Sequence, residues 1–190
     1  RWRKSGGGFT IYEGPHYFDD FRWLSNSDFD TVYSVGMRCN VSGGDGEDNA
    51  IGGFKLKSGG FGVIMEGTSN PGARRDDYRI VGTKGMIEII DPEINPILRI
   101  ARETSHSRGE WETIDTLYSD AKPIEGFERI DNELSYYYWV SELREFINSI
   151  KEKRQPSCTG YDGRVSLEAA LALRLSEKTG MPVKLPLKTI

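Results

Sequence analysis

Apolar and polar positions alternate from Tyr33 to Val41. Tyr33, Val35, Met37, Cys39 and Val41 point one way and Ser34, Gly36, Arg38 and Asn40 lie between them. A period of two predicts a strand with one buried face. Ahead of it, Tyr12, Phe18, Phe21, Trp23 and Leu24 fall on one face of a helix spanning about 12–24. Gly6-Gly7-Gly8 precedes that helix, where backbone can approach another group closely. After a flexible turn at 42–48, two strands are predicted at 51–57 and 61–66, joined by Ser58-Gly59-Gly60 as a hairpin. Further short strands are expected at 78–81, 86–90, 98–102 and 111–117, with breaks at 82–85 and 92–96.

The period then changes. Trp139, Leu143, Phe146, Ile147 and Ile150 recur at spacings of three and four, predicting an amphipathic helix that ends near Gln155-Pro156. Asp162 is the expected N-cap of a second helix running to Lys178, with Gly180 as its left-handed terminator. Val165, Leu167, Ala169, Ala170, Leu171, Leu173 and Leu175 line that helix almost all round, so more than one side should be buried. Val183–Pro186 closes the chain as a short strand. Successive strands without helical intervals predict an α+β fold: a large, open, mainly antiparallel sheet with helices on one face.

Composition narrows the functional classes. At 190 residues the chain is sized for one substantial domain or at most two small ones. No apolar run approaches the roughly 18 residues of a membrane helix, so no membrane partner is expected. A net charge of −4 with mixed signs argues against nucleic acid. Cys39 and Cys158 lack metal-ligand spacing and are expected as buried thiols of a reducing, cytoplasmic compartment. Asn40-Val41-Ser42 matches a glycosylation sequon that matters only on a secretory route. The dense motif so near residue 1 suggests a chain cut from a longer one.

Of the two histidines, His16 is the candidate for acid–base work, because imidazole titrates near neutrality. Asp19, one turn on, could orient the ring. Tyr12, four residues earlier, offers a hydroxyl to a substrate oxygen, or is an ordinary core aromatic. Asp20 reads as a solvated charge and His106 as part of an exposed loop. Gly82-Thr83-Lys84-Gly85 lacks the strand–loop–helix setting of a phosphate loop and reads as a hairpin turn. Tyr136-Tyr137-Tyr138-Trp139 reads as core packing, with carbohydrate stacking as the alternative.

Several segments, taken in order, resemble one family. Trp2-Arg3, Gly6-Gly7-Gly8, Gly14-Pro15-His16-Tyr17-Phe18-Asp19 and Arg22-Trp23-Leu24 look like the start of the C-terminal domain of the glucose–fructose oxidoreductase/inositol dehydrogenase (Gfo/Idh/MocA) family. Ile80–Ile87 is similar to that family's hairpin, Glu145–Ile150 with Pro156 to its penultimate helix, and 163–187 to its terminal helix and strand. The matches cover roughly half the chain.

The resemblance implies the substrate-binding and oligomerisation half of an NAD- or NADP-dependent oxidoreductase. The cofactor would be bound mainly by an N-terminal Rossmann domain absent from this chain, so the fragment alone should be inactive. Its substrate would be a sugar, cyclitol or related CH–OH compound. His16 matches the family's catalytic general base, and Arg3, Tyr12 and Asp19 are placed with the substrate. Tyr12 stands where the family commonly has aspartate, which keeps open a non-enzymatic ligand sensor or regulator on the same fold. A self-contained β-sheet interaction module is a third reading. Apolar residues on both faces of several strands, such as Phe61, Val63 and Met65 against Ile64, predict a homodimer or tetramer formed sheet against sheet.

Overall fold

The computed structural model describes residues 8–37, 46–67, 76–90, 97–103, 109–114 and 133–188. Arg3, Cys39, Asn40 and His106 lie outside that set. The chain divides into two compact units, residues 1–71 with 157–190 and residues 72–156.

In the first unit, β1 (Phe29–Met37), β2 (Asn49–Leu56), β3 (Phe61–Gly67) and β8 (Val183–Lys184) form an antiparallel sheet in the order β3-β2-β1-β8. The period of two is present, but the faces are reversed from the expectation: the Tyr33 and Val35 side of β1 is turned outward, and Val32 with Ser34 faces the helices, where Ser34 N–H donates to the Ser176 hydroxyl of the last helix. Val32, Ser34, Ala50, Phe54, Leu56 and Ile64 are buried, whereas Tyr33, Val35, Ile51, Val63 and Met65 are exposed. Two helices contact one another, α2 (Gly14–Ser25) and α4 (Gly160–Thr179), and α4 also contacts β1.

The core between them is aromatic. Phe18 of α2 is fully buried and meets Phe29 edge-on, with ring centroids 5.1 Å apart; Phe29 meets Phe54 the same way, also at 5.1 Å. Phe21 adds a tilted contact to Phe54 at 4.8 Å. Such pairs contribute about 0.5–1.5 kcal/mol each beyond the area they bury. Gly52 allows the close seating of α4: a Cβ there would lie 2.6 Å from Leu173. Burial on more than one side of α4 is not found: Val165, Ser166, Ala169, Ala170, Ala172, Leu173 and Ser176 make one broad buried face, while Leu167 and Leu175 are exposed.

Three further expectations are corrected. The N-cap of α4 is Thr159, not Asp162. Thr159 has extended backbone, and Asp162 sits at N3 in a reciprocal capping box. The Asp162 carboxylate, three residues on, accepts from the Thr159 N–H and so satisfies the cap from inside the helix. Cys158 is exposed, just outside that cap, rather than buried. Tyr12 is 70% exposed and is no core aromatic. It ends the short helix α1 (Phe9–Tyr12), separated from α2 by the single residue Glu13.

In the second unit, β4 (Asp77–Gly82), β5 (Gly85–Ile90), β6 (Ile97–Arg102) and β7 (Trp111–Ile114) pair antiparallel in sequence order. The Thr83-Lys84 turn makes the expected hairpin, with Gly82 opposite Gly85. The antiparallel α+β class is therefore present, with the described strands hydrogen-bonded as two four-stranded sheets. Arg79, Glu88 and Arg99 stand side by side across β4, β5 and β6; Glu88 is buried between the two arginines, and Arg99 lies over Trp111. The amphipathic helix α3 (Glu133–Glu152) belongs to this unit, and Trp139, Leu143, Phe146 and Ile150 on its apolar stripe are exposed.

Candidate functional site

Helix α2 is anchored on one face and open on the other. Pro15 in its first turn has the φ that a helix start requires. Phe18 and Phe21 point into the aromatic core, and Arg22, 12% exposed at its side chain, closes the far end. The Arg22 guanidinium donates to Asp28 Oδ1 at 3.1 Å from both Nε and Nη2, and to Asp162 Oδ1 at 3.3 Å. It also pairs with Asp19 at 3.4 Å. His16, Asp20 and Trp23, at i, i+4 and i+7, occupy the remaining face and are exposed. Tyr12 is exposed just ahead of them.

Asp19 is engaged with the scaffold as well as with Arg22. Its Oδ1 accepts from the Ser166 hydroxyl of α4 at 3.0 Å. Arg22 itself was legible only as part of a motif, because its partner Asp162 is 140 residues away. A cavity of about 350 Å³ opens beside this cluster, lined in part by Asp19, Arg22, Trp23, Asp28, Cys158 and Asp162; His16 does not line it.

The electrostatics of the cluster are mutually satisfied. Burial alone would raise the Asp28 carboxyl, but hydrogen bonds from Lys57 and Arg22 outweigh it and hold the group below the ordinary range. Asp162 is also lowered, first by the hydrogen bond from the Thr159 hydroxyl, then by the Thr159 backbone N–H and Arg22. Burial would lower Arg22; its bonds to Asp28 and Asp162 reverse that and raise it.

At the other end of the segment, α1 rests on acids. The Thr10 N–H donates to Glu47 Oε1 at 3.1 Å, and the Thr10 hydroxyl donates to Glu66 Oε1. Arg174 of α4 pairs with Glu47 Oε2 at 2.6 Å and with Glu177. Burial, followed by the nearby Glu47 and Glu13, raises the Glu66 carboxyl despite the Thr10 hydrogen bond. No pattern in the sequence marked these residues.

Among the described residues no group of three or more His, Cys, Asp or Glu side chains could hold a metal ion. No described helix is long and apolar enough to cross a membrane.

The family model described as "Oxidoreductase family, C-terminal alpha/beta domain" matches residues 1–185. No curated protein matches the sequence. Among solved structures, levoglucosan dehydrogenase in complex with NADH and L-sorbose is similar at a TM-score of 0.77 and 20% identity, over 95% of this chain and 51% of that one. Aldose-aldose oxidoreductase from Caulobacter crescentus, complexed with glycerol, is similar at 0.73 and 20%, over 97% and 51%. WlbA dehydrogenase from Bordetella pertussis, in complex with NADH and UDP-GlcNAcA, is similar at 0.65 and 20%, over 93% and 44%. This chain therefore spans about half the length of these proteins. At such identities the likeness is one of fold.

Proposed function

The chain belongs to the Gfo/Idh/MocA oxidoreductase family as its C-terminal α/β domain, and from that premise we propose that it is the substrate-binding half of a nicotinamide-dependent dehydrogenase acting on a carbinol carbon of a sugar, cyclitol or related compound. The observation that carries this reading is His16, turned to solvent from a helix whose opposite face is locked by Phe18 and Arg22. An imidazole on a rigid support is held where it can receive a hydroxyl proton. The exposed Tyr12 hydroxyl, Arg3 and Asp19 are assigned to the substrate side, with Asp19 acting from its place between Ser166 and Arg22.

The described residues do not fit a dinucleotide. The first turn of α4 is taken by its own Thr159–Asp162 capping box, whose carboxylate would repel a pyrophosphate, and α2 starts at Glu13-Gly14-Pro15. Binding of NAD or NADP is assigned to an N-terminal Rossmann domain outside this chain. A nicotinamide bound there supplies the hydride acceptor; this chain's own part is to hold the CH–OH group and take its proton on His16. Isothermal titration of the chain with NAD or NADP is expected to show no low-micromolar binding, and such binding would overturn the division of labour.

In the full-length protein His16→Asn should lower turnover by about 10²–10⁴-fold while leaving the fold intact. Unchanged turnover on the true substrate would make His16 structural. Tyr12→Asp should change the substrate profile more than the stability, because the side chain is exposed.

Assembly through the first sheet belongs to the same reading. Val35, Ile51 and Met65 form one row across its outer face, Tyr33, Gly53 and Val63 the next, and Phe61 stands 87% exposed at the edge. A patch of this kind supports pairing with a second copy about a two-fold axis, as a homodimer or tetramer. Light scattering should give an even-numbered oligomer that Val63→Glu dissociates; a strict monomer at tens of micromolar would overturn the assignment.

A further inference from the structure

We propose that Glu47 and Glu66 are positioning residues that clamp α1 through Thr10, and so set the placement of Tyr12 and the entry into the His16 helix. The idea rests on the functional reading above only for the consequence at His16; the clamp itself is a statement about the fold.

Thr10 is 1% exposed and is gripped twice, its N–H by Glu47 and its hydroxyl by Glu66. The Phe9 N–H adds a bond to the Glu47 carbonyl at 3.3 Å. A helix of one turn cannot hold itself together in water, so these bonds supply what its length does not. Glu47 has its side chain 2% exposed and is backed by Arg174. Gly8 completes the seat. Its φ of +92° is left-handed, and a Cβ there would lie 2.4 Å from Glu47 Oε2. Only glycine lets the chain pass the buried carboxylate, which gives the third glycine of the Gly6-Gly7-Gly8 run a physical role.

Among the described residues the clamp is also short of positive charge. Glu66 faces Glu13 at the α1–α2 junction and Glu47 ahead of β2, while from α4 Arg174 is shared between Glu47 and Glu177. The second oxygen of Glu66 is buried without a hydrogen-bond partner. A proton on Glu66 relieves the repulsion, and burial and its acidic neighbours favour that proton. The sign follows. A carboxyl raised in the folded state favours the clamped state at low pH and disfavours it as pH rises through the folded value. α1 should therefore loosen on the alkaline side of the ordinary glutamate range.

Hydrogen exchange read at the Thr10 and Tyr12 amides, as protection relative to intrinsic exchange, tests this in the chain. Protection should fall with rising pH in the wild type and stay flat in Glu66→Gln, which keeps the acceptor and removes the charge. It should drop by about tenfold in Thr10→Val and be restored in Thr10→Ser. Wild-type protection independent of pH, or unchanged in Thr10→Val, would overturn the clamp. In the full-length protein Thr10→Val should lower kcat more than it raises KM, with Thr10→Ser restoring kcat. Wild-type turnover in Thr10→Val, with its exchange quickened, would overturn only the link to His16. Loss of turnover in His16→Asn is a separate result and does not bear on the clamp.

Discussion

Two clusters of one guanidinium among three carboxylates hold the α1–α2 segment, one at each end, and their shifted carboxyls move in opposite directions. Around Arg22 stand Asp19, Asp28 and Asp162, with Lys57 on the second oxygen of Asp28 at 3.2 Å. Around Arg174 stand Glu47 and Glu177, and Glu66 joins through Thr10 with no cation of its own in the described residues. Asp28 and Asp162 are lowered, whereas Glu66 is raised. A tally of acids and bases would predict similar behaviour. Hydrogen bonds to the charged form decide it: Lys57, Arg22 and Thr159 supply them at one end, while at the other burial and like charge prevail. The first cluster works best with Asp28 and Asp162 ionised, and the second with a proton retained on Glu66.

Substitutions can break each cluster. Arg22→Met should have the largest effect, about 3 kcal/mol of stability, because three partly buried carboxylates lose its charged hydrogen bonds while keeping Lys57, Thr159 and Ser166. Denaturant unfolding at neutral pH measures it. The same variant should flatten the acid-side slope of stability in part, because Lys57 still holds Asp28 and Thr159 still holds Asp162. Asp28 and Asp162 are depressed in the folded state, so their contribution is present above the ordinary aspartate value and is lost as pH falls through the folded values. A wild-type slope retained in Arg22→Met would refute the account of the lowered acids.

Glu47→Gln should cost less, about 1–3 kcal/mol, since it keeps an acceptor for the Thr10 N–H but leaves Arg174 with Glu177 alone. A cost as large as that of Arg22→Met would mean that the two ends are equally dependent on charge. Thr159→Ala removes the cap of α4 and should cost about 1 kcal/mol. It should also let Asp162 titrate closer to its ordinary value, a shift readable by carboxyl NMR. The smallest change in stability at neutral pH is expected for Glu66→Gln. There the removed charge is itself unfavourable, so the variant should be neutral or slightly more stable.

Much of the fold was legible because its signals are local. The strand period beginning at Tyr33 and the Ser58-Gly59-Gly60 and Thr83-Lys84 turns each follow from a few neighbouring residues, whereas which face of β1 and of α4 is buried does not. The candidate site was legible in part. His16 stood out by chemistry and by the motif around it, and Tyr12 and Asp19 by spacing on a helix. Arg22 appeared only as a letter in a motif, and Glu47, Glu66 and Arg174 not at all. Their meaning lies in partners 140 residues distant for Arg22 and Asp162, and 56 residues distant for Thr10 and Glu66.

The sequence by itself determined the family, the antiparallel α+β class and the hairpins, and it singled out His16 as the candidate to take a proton. These depend on side-chain period, turn chemistry and the intrinsic acidity of imidazole, all properties of short stretches. Only the tertiary structure decided that Thr159 caps α4, that the described strands pair as two sheets, that Tyr12 is exposed, and which carboxyls ionise easily. The physical reason is that burial, pairing and repulsion are set by groups brought together from distant parts of the chain, and no local pattern encodes which distant group arrives.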